Sequence, residues 1–158
     1  MRNDNPPQTL LAPVIKTINV RLPIEAAFRL FTERTSTWWP LATHSVGGES
    51  VVDCRLEGQV GGRFYEIQAD GMQAEWGQVL AWEPPRRLVF TLHPGRTPEF
   101  ASLVEVTFQS EGNGCCLTLT HTNWEACGEN AAAERLGYER GWESILKRFQ
   151  AQAAPPAP

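Results

Sequence analysis

The feature that most constrains the fold is an amphipathic stretch near the C-terminus, residues 129–150. Four large side chains in this stretch are spaced four, three and four residues apart, the pattern of one face of a helix. These side chains are Tyr138, Trp142, Ile145 and Phe149. A helix with so large an apolar face needs a partner surface, and the strand-like sequence before it is expected to supply one.

Two glycines, Gly137 and Gly141, lie inside the predicted helix. Each costs about 1 kcal/mol of helix stability relative to alanine, so something should compensate for them. Close approach of the helix to a sheet is the simplest explanation that the sequence offers.

The sequence before the helix predicts one strand, one helix region and then a series of strands. Residues 14–22 alternate as in a strand, and residues 23–34 begin with Pro23 and carry a compact apolar stripe, as in a helix. Further strands, most of them closed by glycine or proline turns, are predicted at residues 50–57, 63–69, 73–82, 87–93, 103–110 and 115–122.

A spacing of about ten residues between strands indicates an antiparallel meander, because parallel strands need longer crossovers. The predicted fold is therefore α+β: a curved antiparallel sheet of about six to seven strands wrapped around the long C-terminal helix, with short helices after the first strand. Residues 13–150 are expected to form a single domain, residues 1–12 a flexible lead-in, and residues 151–158 a disordered tail rich in alanine and proline.

Composition narrows the classes of function. With 158 residues, six tryptophans and seven phenylalanines, the chain can bury a core without metals or disulfides. The net charge of −4 argues against a nucleic-acid partner, and no apolar run approaches the roughly 20 residues of a membrane span. The N-terminus lacks the apolar segment of an export signal and the cysteines show no C-x-x-C spacing, so a cytoplasmic protein with reduced thiols is expected.

Several short segments, in order along the chain, carry a resemblance to a known family. They are residues 23–28 (PIEAAF), 38–40 (WWP), 76–79 (WGQV), 84–90 (PPRRLVF), 117–121 (LTLTH), and Gly141-Trp142 followed by Leu146. The chain resembles the START-like (SRPBCC) superfamily, which has the helix-grip fold, and within it the family named after the activator of heat-shock-protein-90 ATPase. The resemblance extends over about residues 14–150.

This resemblance implies a ligand cavity between the sheet and the C-terminal helix, without naming the ligand. The family takes its name from a co-chaperone that carries a separate N-terminal chaperone-binding domain. This chain shows no counterpart of that domain, so a chaperone partner is not expected.

His121 is the first candidate for a catalytic or ligand-binding side chain. It shares a strand face with Leu117 and Leu119, so it is predicted to point inward, where an imidazole can orient a ligand or act as a general base. The alternative is a structural histidine bonded to the backbone near the end of the strand.

Glu75 is the second catalytic candidate, as an acid or a base, against the alternative of an exposed carboxylate. Gly77 indicates a bulge in this strand or the close approach of a neighbouring group. Strict alternation places four side chains on the face opposite Glu75, namely Trp76, Gln78, Leu80 and Trp82.

Aromatic side chains are the remaining candidates for ligand contacts, with loop anchoring or core filling as the alternative. They are Trp38 and Trp39, in the segment that closes one side of the cavity in helix-grip proteins, Trp76, and Tyr138 and Trp142 on the long helix. Polar groups at the rim of the cavity are expected from Arg63, Glu66 and His93.

No motif indicates a metal site, a phosphate loop or an activated nucleophile. The three histidines are far apart without H-E-x-x-H spacing, and the glycine pairs lack the Gly-Lys-Ser/Thr ending of a phosphate loop. Ser45 lacks the G-x-S-x-G elbow. Neither a metal nor a cofactor is expected.

Three functions remain open. The favoured one is a non-enzymatic module that binds a small apolar or aromatic molecule, because the resemblance implies a cavity and the sequence is rich in tryptophan and phenylalanine. The others are an enzyme of the cyclase or dehydratase type that uses His121 and Glu75, and a protein-interaction role as a co-chaperone or homodimer. A cavity packed solid by Trp142 and Tyr138 would exclude the first two.

Overall fold

The fold is known from a computed structural model that describes residues 11–154. Most of the expected lead-in and the end of the expected tail, residues 1–10 and 155–158, lie outside the described residues. The main elements are β1 (Val14–Val20), α1 (Ile24–Glu33), β2 (Val51–Leu56), β3 (Arg63–Gln68), β4 (Gln73–Glu83), β5 (Arg87–Leu92), β6 (Ser102–Glu111), β7 (Gly114–Thr122) and α2 (Ala131–Ala153).

The strands form one curved antiparallel sheet in the order β1-β7-β6-β5-β4-β3-β2. Strands β2 to β7 pair with their sequence neighbours, as the short turns between them require, and β1 completes the sheet beside β7. The sheet wraps around α2, and α1 follows the first strand. The predicted α+β helix-grip fold is confirmed.

Helix α2 buries the face that its sequence pattern predicts. Trp142, Ile145 and Phe149 are each no more than 2% exposed. The helix continues to Ala153, beyond the predicted end of the domain at residue 150, because the Ala153 side chain is buried as well. No helix within residues 11–154 combines the length and the apolar character that crossing a membrane requires.

The groove between the sheet and α2 is filled by aromatic side chains towards the C-terminal half of the helix. Phe31 from α1 lies 4.8 Å from Trp38 and 5.6 Å from Phe149, measured between ring centroids. Trp38 also contacts Phe149 at 5.0 Å and donates its indole N–H to the carbonyl oxygen of Leu30 at 2.9 Å. This end of the groove is solid core.

Two bulges in β4 change which side chains face the core. The pairing register shifts once against β3 and once against β5. As a result Trp76 and Val79 are buried whereas Gln78 and Leu80 are exposed, so the single face predicted by strict alternation is wrong. The prediction for Gly77 is confirmed, because a Cβ atom there would lie 1.6 Å from the carbonyl oxygen of Thr91.

Candidate functional site

A cavity of about 540 Å³ lies between the sheet and the N-terminal half of α2. Its volume is within the usual range of small-molecule sites, roughly 300–1,000 Å³. The sheet, the segment between α1 and β2, the segment between β5 and β6, and α2 each contribute to its lining. The cavity occupies the part of the groove that aromatic side chains leave unfilled.

Two indole rings form the inner wall of the cavity. Trp39 and Trp76 lie 5.2 Å apart between ring centroids. Trp39 donates its N–H to the carbonyl oxygen of His44 at 2.8 Å, and Trp76 donates to Glu66 Oε1 at 2.6 Å. Because both indole nitrogens are bonded within the protein, the rings are fixed and present apolar surface to a ligand.

Helix α2 faces the cavity with its two glycines. A Cβ atom at Gly137 would meet no other atom within 4 Å, and one at Gly141 would meet only the His44 ring, at 3.4 Å. The prediction that these glycines allow close approach to the sheet is wrong, because the facing space is the cavity. Gly141 lies against the His44 ring, whereas Gly137 is exposed and leaves its side of the cavity open.

Glu66 holds the segment between α1 and β2 over the cavity. Its carboxylate accepts hydrogen bonds from the backbone N–H groups of Val46 and Gly47 at 2.7 and 2.8 Å, and from the side chains of Gln68 and Trp76. Burial by itself would raise the pKa of Glu66, but these hydrogen bonds outweigh it and the pKa is lowered. The side chain is therefore a buried carboxylate held by neutral donors.

His121 points inward as predicted, but two side chains, and not the backbone, hold its ring. Trp142 Nε1–H donates to His121 Nδ1 at 2.9 Å, and His121 Nε2 lies 2.6 Å from Ser102 Oγ. Burial lowers the pKa of His121 to about 3, so the ring is neutral near pH 7. His121 does not line the cavity itself, and it reaches the cavity through Ser102.

Of the predicted aromatic contacts, the structure brings Trp39, Trp76 and Tyr138 together at the cavity. Trp142 lies directly behind them, fully buried, with its ring 5.7 Å from Trp39. Trp38 lies in the solid part of the core and does not line the cavity.

Tyr138 lies on α2, where it packs against His121 at 4.6 Å and against Trp124 at 5.7 Å between ring centroids. Burial first, then the charge of Glu134 and the nearby Cys127, raise the pKa of Tyr138 above its ordinary value. Its hydroxyl group therefore remains protonated over the physiological range and is able to donate a hydrogen bond.

Glu75 and His93 form a pair at the edge of the cavity. His93 lines the cavity, its side chain is only 4% exposed, and its Nε2 lies 3.2 Å from Glu75 Oε2. The other ring nitrogen, Nδ1, donates to the carbonyl oxygen of Arg96 at 3.0 Å. Glu75 itself is 38% exposed and does not line the cavity, so it acts there only through His93.

Arg96 connects the turn after β5 to the start of α2. Its guanidinium group donates to Glu134 Oε1 at 3.0 Å and to the carbonyl oxygen of Cys127 at 2.9 Å, and it lies 4.0 Å from the centre of the Phe100 ring. These contacts hold the part of the cavity rim that the segment between β5 and β6 forms. The expected rim residue Arg63 lies elsewhere and stacks on Tyr65.

Sequence reasoning missed several cavity residues. They are His44, Arg96, Phe100, Ser102 and Glu134. For Ser102 a signal was present, because it shares the inward face of β6 with Val104 and Val106, and a serine on such a face needs a polar partner. The others lie on turns or at a helix start, where no periodicity shows which way a side chain points.

The family described as Activator of Hsp90 ATPase homolog 1-like protein matches the chain over residues 21–154. No curated protein sequence matches it significantly.

Many solved structures share the fold. Protein NE0264 from Nitrosomonas europaea is 19% identical, with a TM-score of 0.65 over 89% of this chain and 92% of that chain. CalU16 from Micromonospora echinospora is 23% identical, with a TM-score of 0.63 over 92% of this chain and 77% of that chain. Txn09, an anthrahydroquino-gamma-pyrone synthase solved as a complex, is 30% identical, with a TM-score of 0.63 over 90% of this chain and 97% of that chain.

Proposed function

We propose that this chain, which belongs to the family of activator of Hsp90 ATPase homolog 1-like proteins, binds a small aromatic molecule in the cavity between its sheet and α2. The observation that carries the proposal is the open space in front of Gly137. A glycine within a helix costs about 1 kcal/mol relative to alanine, and here no neighbouring atom requires its lack of a side chain. Gly137 is exposed and lines the cavity, so the lack of a side chain there keeps this side of the cavity open to a ligand.

The chemistry of the walls supports an aromatic ligand. Trp39, Trp76 and Tyr138 offer ring surfaces, and rings prefer to pack against other rings at centroid distances of about 4.5–7 Å. The two indole rings are held by hydrogen bonds before any ligand binds, which lowers the entropy cost of binding.

Binding is measured by quenching of tryptophan fluorescence during titration with anthracene-2-sulfonate, a soluble planar probe. In Gly137→Phe the new side chain has room to enter the cavity that Gly137 lines, and we expect affinity to fall at least about tenfold while the fold is retained. Leu136→Phe is the matched control, because Leu136 is the neighbouring residue, is 48% exposed and does not line the cavity. Equal affinity of Gly137→Phe and the wild type would contradict binding at this site.

Native mass spectrometry of gently purified protein, beside a denatured sample, provides an independent measurement. A mass excess that disappears on denaturation identifies a retained molecule, and its mass gives the class of ligand. The same spectrum distinguishes a monomer from a homodimer. A dimer without any retained mass would favour the protein-interaction role instead.

The second candidate function is an enzyme of the cyclase type, favoured by one specific observation. His93 lines the cavity with its Nε2 atom 3.2 Å from Glu75 Oε2, and an imidazole beside a carboxylate is a pairing that general acid–base catalysis uses. Exchange of the Glu75 contact for a bound molecule would bring Nε2 within reach of that molecule. The 30% identity to Txn09, an anthrahydroquino-gamma-pyrone synthase, points to aromatic ketones as the substrates to test.

The two candidates differ in the effect of His93→Gln. An enzyme loses turnover of polyhydroxylated aromatic ketones, followed by mass spectrometry of the products, while its affinity for the probe is preserved. A binding module gives no product with either protein. Absence of turnover by the wild type across such substrates would reject the enzyme.

A further inference from the structure

The buried chain of hydrogen bonds Trp142–His121–Ser102 has a direction that its atoms determine. An indole N–H only donates, so Trp142 Nε1 at 2.9 Å fixes His121 Nδ1 as an acceptor without a hydrogen. The His121 ring is 0% exposed, and its described hydrogen-bond partners are these two neutral side chains. The single ring proton of the neutral imidazole is therefore on Nε2.

This proton determines the role of Ser102. His121 Nε2–H donates to Ser102 Oγ at 2.6 Å, so the serine oxygen is an acceptor on that side. Its own hydroxyl proton has one described acceptor, the carbonyl oxygen of Leu92, at a long 3.3 Å. Ser102 is 1% exposed and lines the cavity, so the weakly used proton is available there.

Donation by His121 also strengthens Ser102 as a donor. A hydroxyl group that accepts a hydrogen bond becomes polarised, and successive bonds in such a chain reinforce one another. A ligand oxygen that accepts a hydrogen bond from the Ser102 hydroxyl adds to the affinity, because water in an apolar cavity is a poor substitute for that partner.

From this geometry we infer that Ser102 is the group that recognises a carbonyl oxygen of the aromatic ligand, with His121 and Trp142 as the positioning residues that keep its proton directed to the cavity. The inference rests on the proposed function and specifies its ligand as an aromatic ketone or quinone. His121, predicted from the sequence as a base or direct contact, then acts through Ser102.

Two probes of the same ring skeleton test the inference: anthraquinone-2-sulfonate, which carries carbonyl oxygens, and anthracene-2-sulfonate, which does not. Both are titrated by tryptophan fluorescence. We expect the wild type to bind the quinone about tenfold more tightly, the factor that one added hydrogen bond of ordinary strength supplies.

Variants of the chain then assign the preference to its cause. Ser102→Ala should reduce the preference for the quinone to near one, whereas Ser110→Ala, an exposed serine on the same strand, should leave it unchanged. Trp142→Phe should also reduce the preference for the quinone. Without the indole donor, His121 Nδ1 is free to carry the ring proton, and Nε2 is then free to accept a hydrogen bond from Ser102. Nitrogen-15 shifts of the His121 ring report the tautomer directly and do not depend on whether a variant folds.

The outcomes separate the inference from the proposed function. Equal binding of the two probes by the wild type, or a preference that survives in Ser102→Ala, would overturn the role of Ser102 while leaving aromatic binding in place. A wild-type His121 ring with its proton on Nδ1 would overturn it as well. Binding of neither probe would overturn the proposed function, and the inference with it.

Discussion

At the scale of single residues, the site depends on two buried titratable groups that are kept in opposite states. Glu66 stays charged because four donors satisfy its oxygens, although the structure gives it no cationic partner among residues 11–154. His121 stays neutral because burial lowers its pKa and because Trp142 and Ser102 satisfy a neutral ring. Each group connects elements that are distant in sequence.

Replacement of Glu66 should release the segment that covers the cavity. In Glu66→Gln an amide group faces backbone N–H donors that need an acceptor, so the free energy of unfolding should fall by about 3 kcal/mol. Denaturant unfolding measures this change, with Glu49→Gln, an exposed carboxylate of the same segment, as the control. Equal stability of the two variants would contradict the role of Glu66.

His121 should make the protein less stable in mild acid. The unfolded chain protonates this histidine near its ordinary pKa of about 6.5, whereas in the folded protein the pKa is about 3. Between these values the unfolded state binds more protons, so stability from this group is complete above pH 6.5 and is lost as the pH falls, by up to about 1.4 kcal/mol per unit.

Denaturant unfolding between pH 5 and pH 7 measures this slope, above the range in which Glu66 titrates. His44 contributes in the same direction, since partial burial and then the charge of Arg148 lower its pKa. The test is therefore a comparison of slopes, and His121→Gln should be less steep than the wild type. An unchanged slope in His121→Gln would mean that His121 is not the source of the pH dependence of stability.

At the scale of elements, glycine has opposite roles in the strand and in the helix that border the site. Gly77 in β4 lies against the backbone of β5, where no side chain fits, and the adjacent bulge turns Trp76 towards the cavity. Gly137 in α2 faces space that a side chain would occupy. The same substitution at the two positions therefore has opposite expected effects.

Gly137→Ala should stabilise the protein. Alanine removes the helix penalty of glycine, about 1 kcal/mol, and its Cβ atom meets no neighbour within 4 Å. The melting temperature should rise by about 2–4 °C for a chain of this size. A decrease measured by calorimetry would show that the helix needs glycine for a reason other than the cavity.

Gly77→Ala should destabilise the protein by about 2 kcal/mol or more, since the added Cβ atom would lie 1.6 Å from the Thr91 carbonyl oxygen and the strands must separate. Because the bulge places Trp76, affinity for the aromatic probe should also decrease. Denaturant unfolding and titration of the same sample give both values, and wild-type stability would contradict the close approach.

At the scale of the whole molecule, the fold divides the groove between sheet and helix into a packed half and an open half. Aromatic side chains around Phe31, Trp38 and Phe149 fill the half near the C-terminus of α2. The cavity occupies the half near its N-terminus, so the packed half supplies stability and the open half is available to a ligand.

A bound ligand should therefore stabilise the entire domain. At a free concentration of anthraquinone-2-sulfonate a hundred times its Kd, the free energy of unfolding should rise by about 2.7 kcal/mol and the melting temperature by about 5–10 °C. Differential scanning calorimetry measures this rise, which should be absent in Gly137→Phe. A similar rise in that variant would locate the binding elsewhere.

Local periodicity and turn residues predicted the helices and strands of this chain. The spacing of Trp142, Ile145 and Phe149 identified α2, and alternation placed His121 on the inner face of β7, because neighbouring residues define these patterns. The expected cytoplasmic location remains a prediction. Where a regular pattern was interrupted, as at the bulges around Gly77, alternation assigned the wrong faces to the following side chains.

What each inward side chain contacts depends on how distant segments pack together. His121 is hydrogen-bonded to Ser102 and Trp142, which lie 19 and 21 residues from it in sequence. Gly137 stood out in the sequence, but whether its missing side chain faced a strand or an empty space depended on how far the aromatic core extends along α2. The cavity is the volume that side chains from distant segments leave unfilled, and no local sequence pattern encodes that volume.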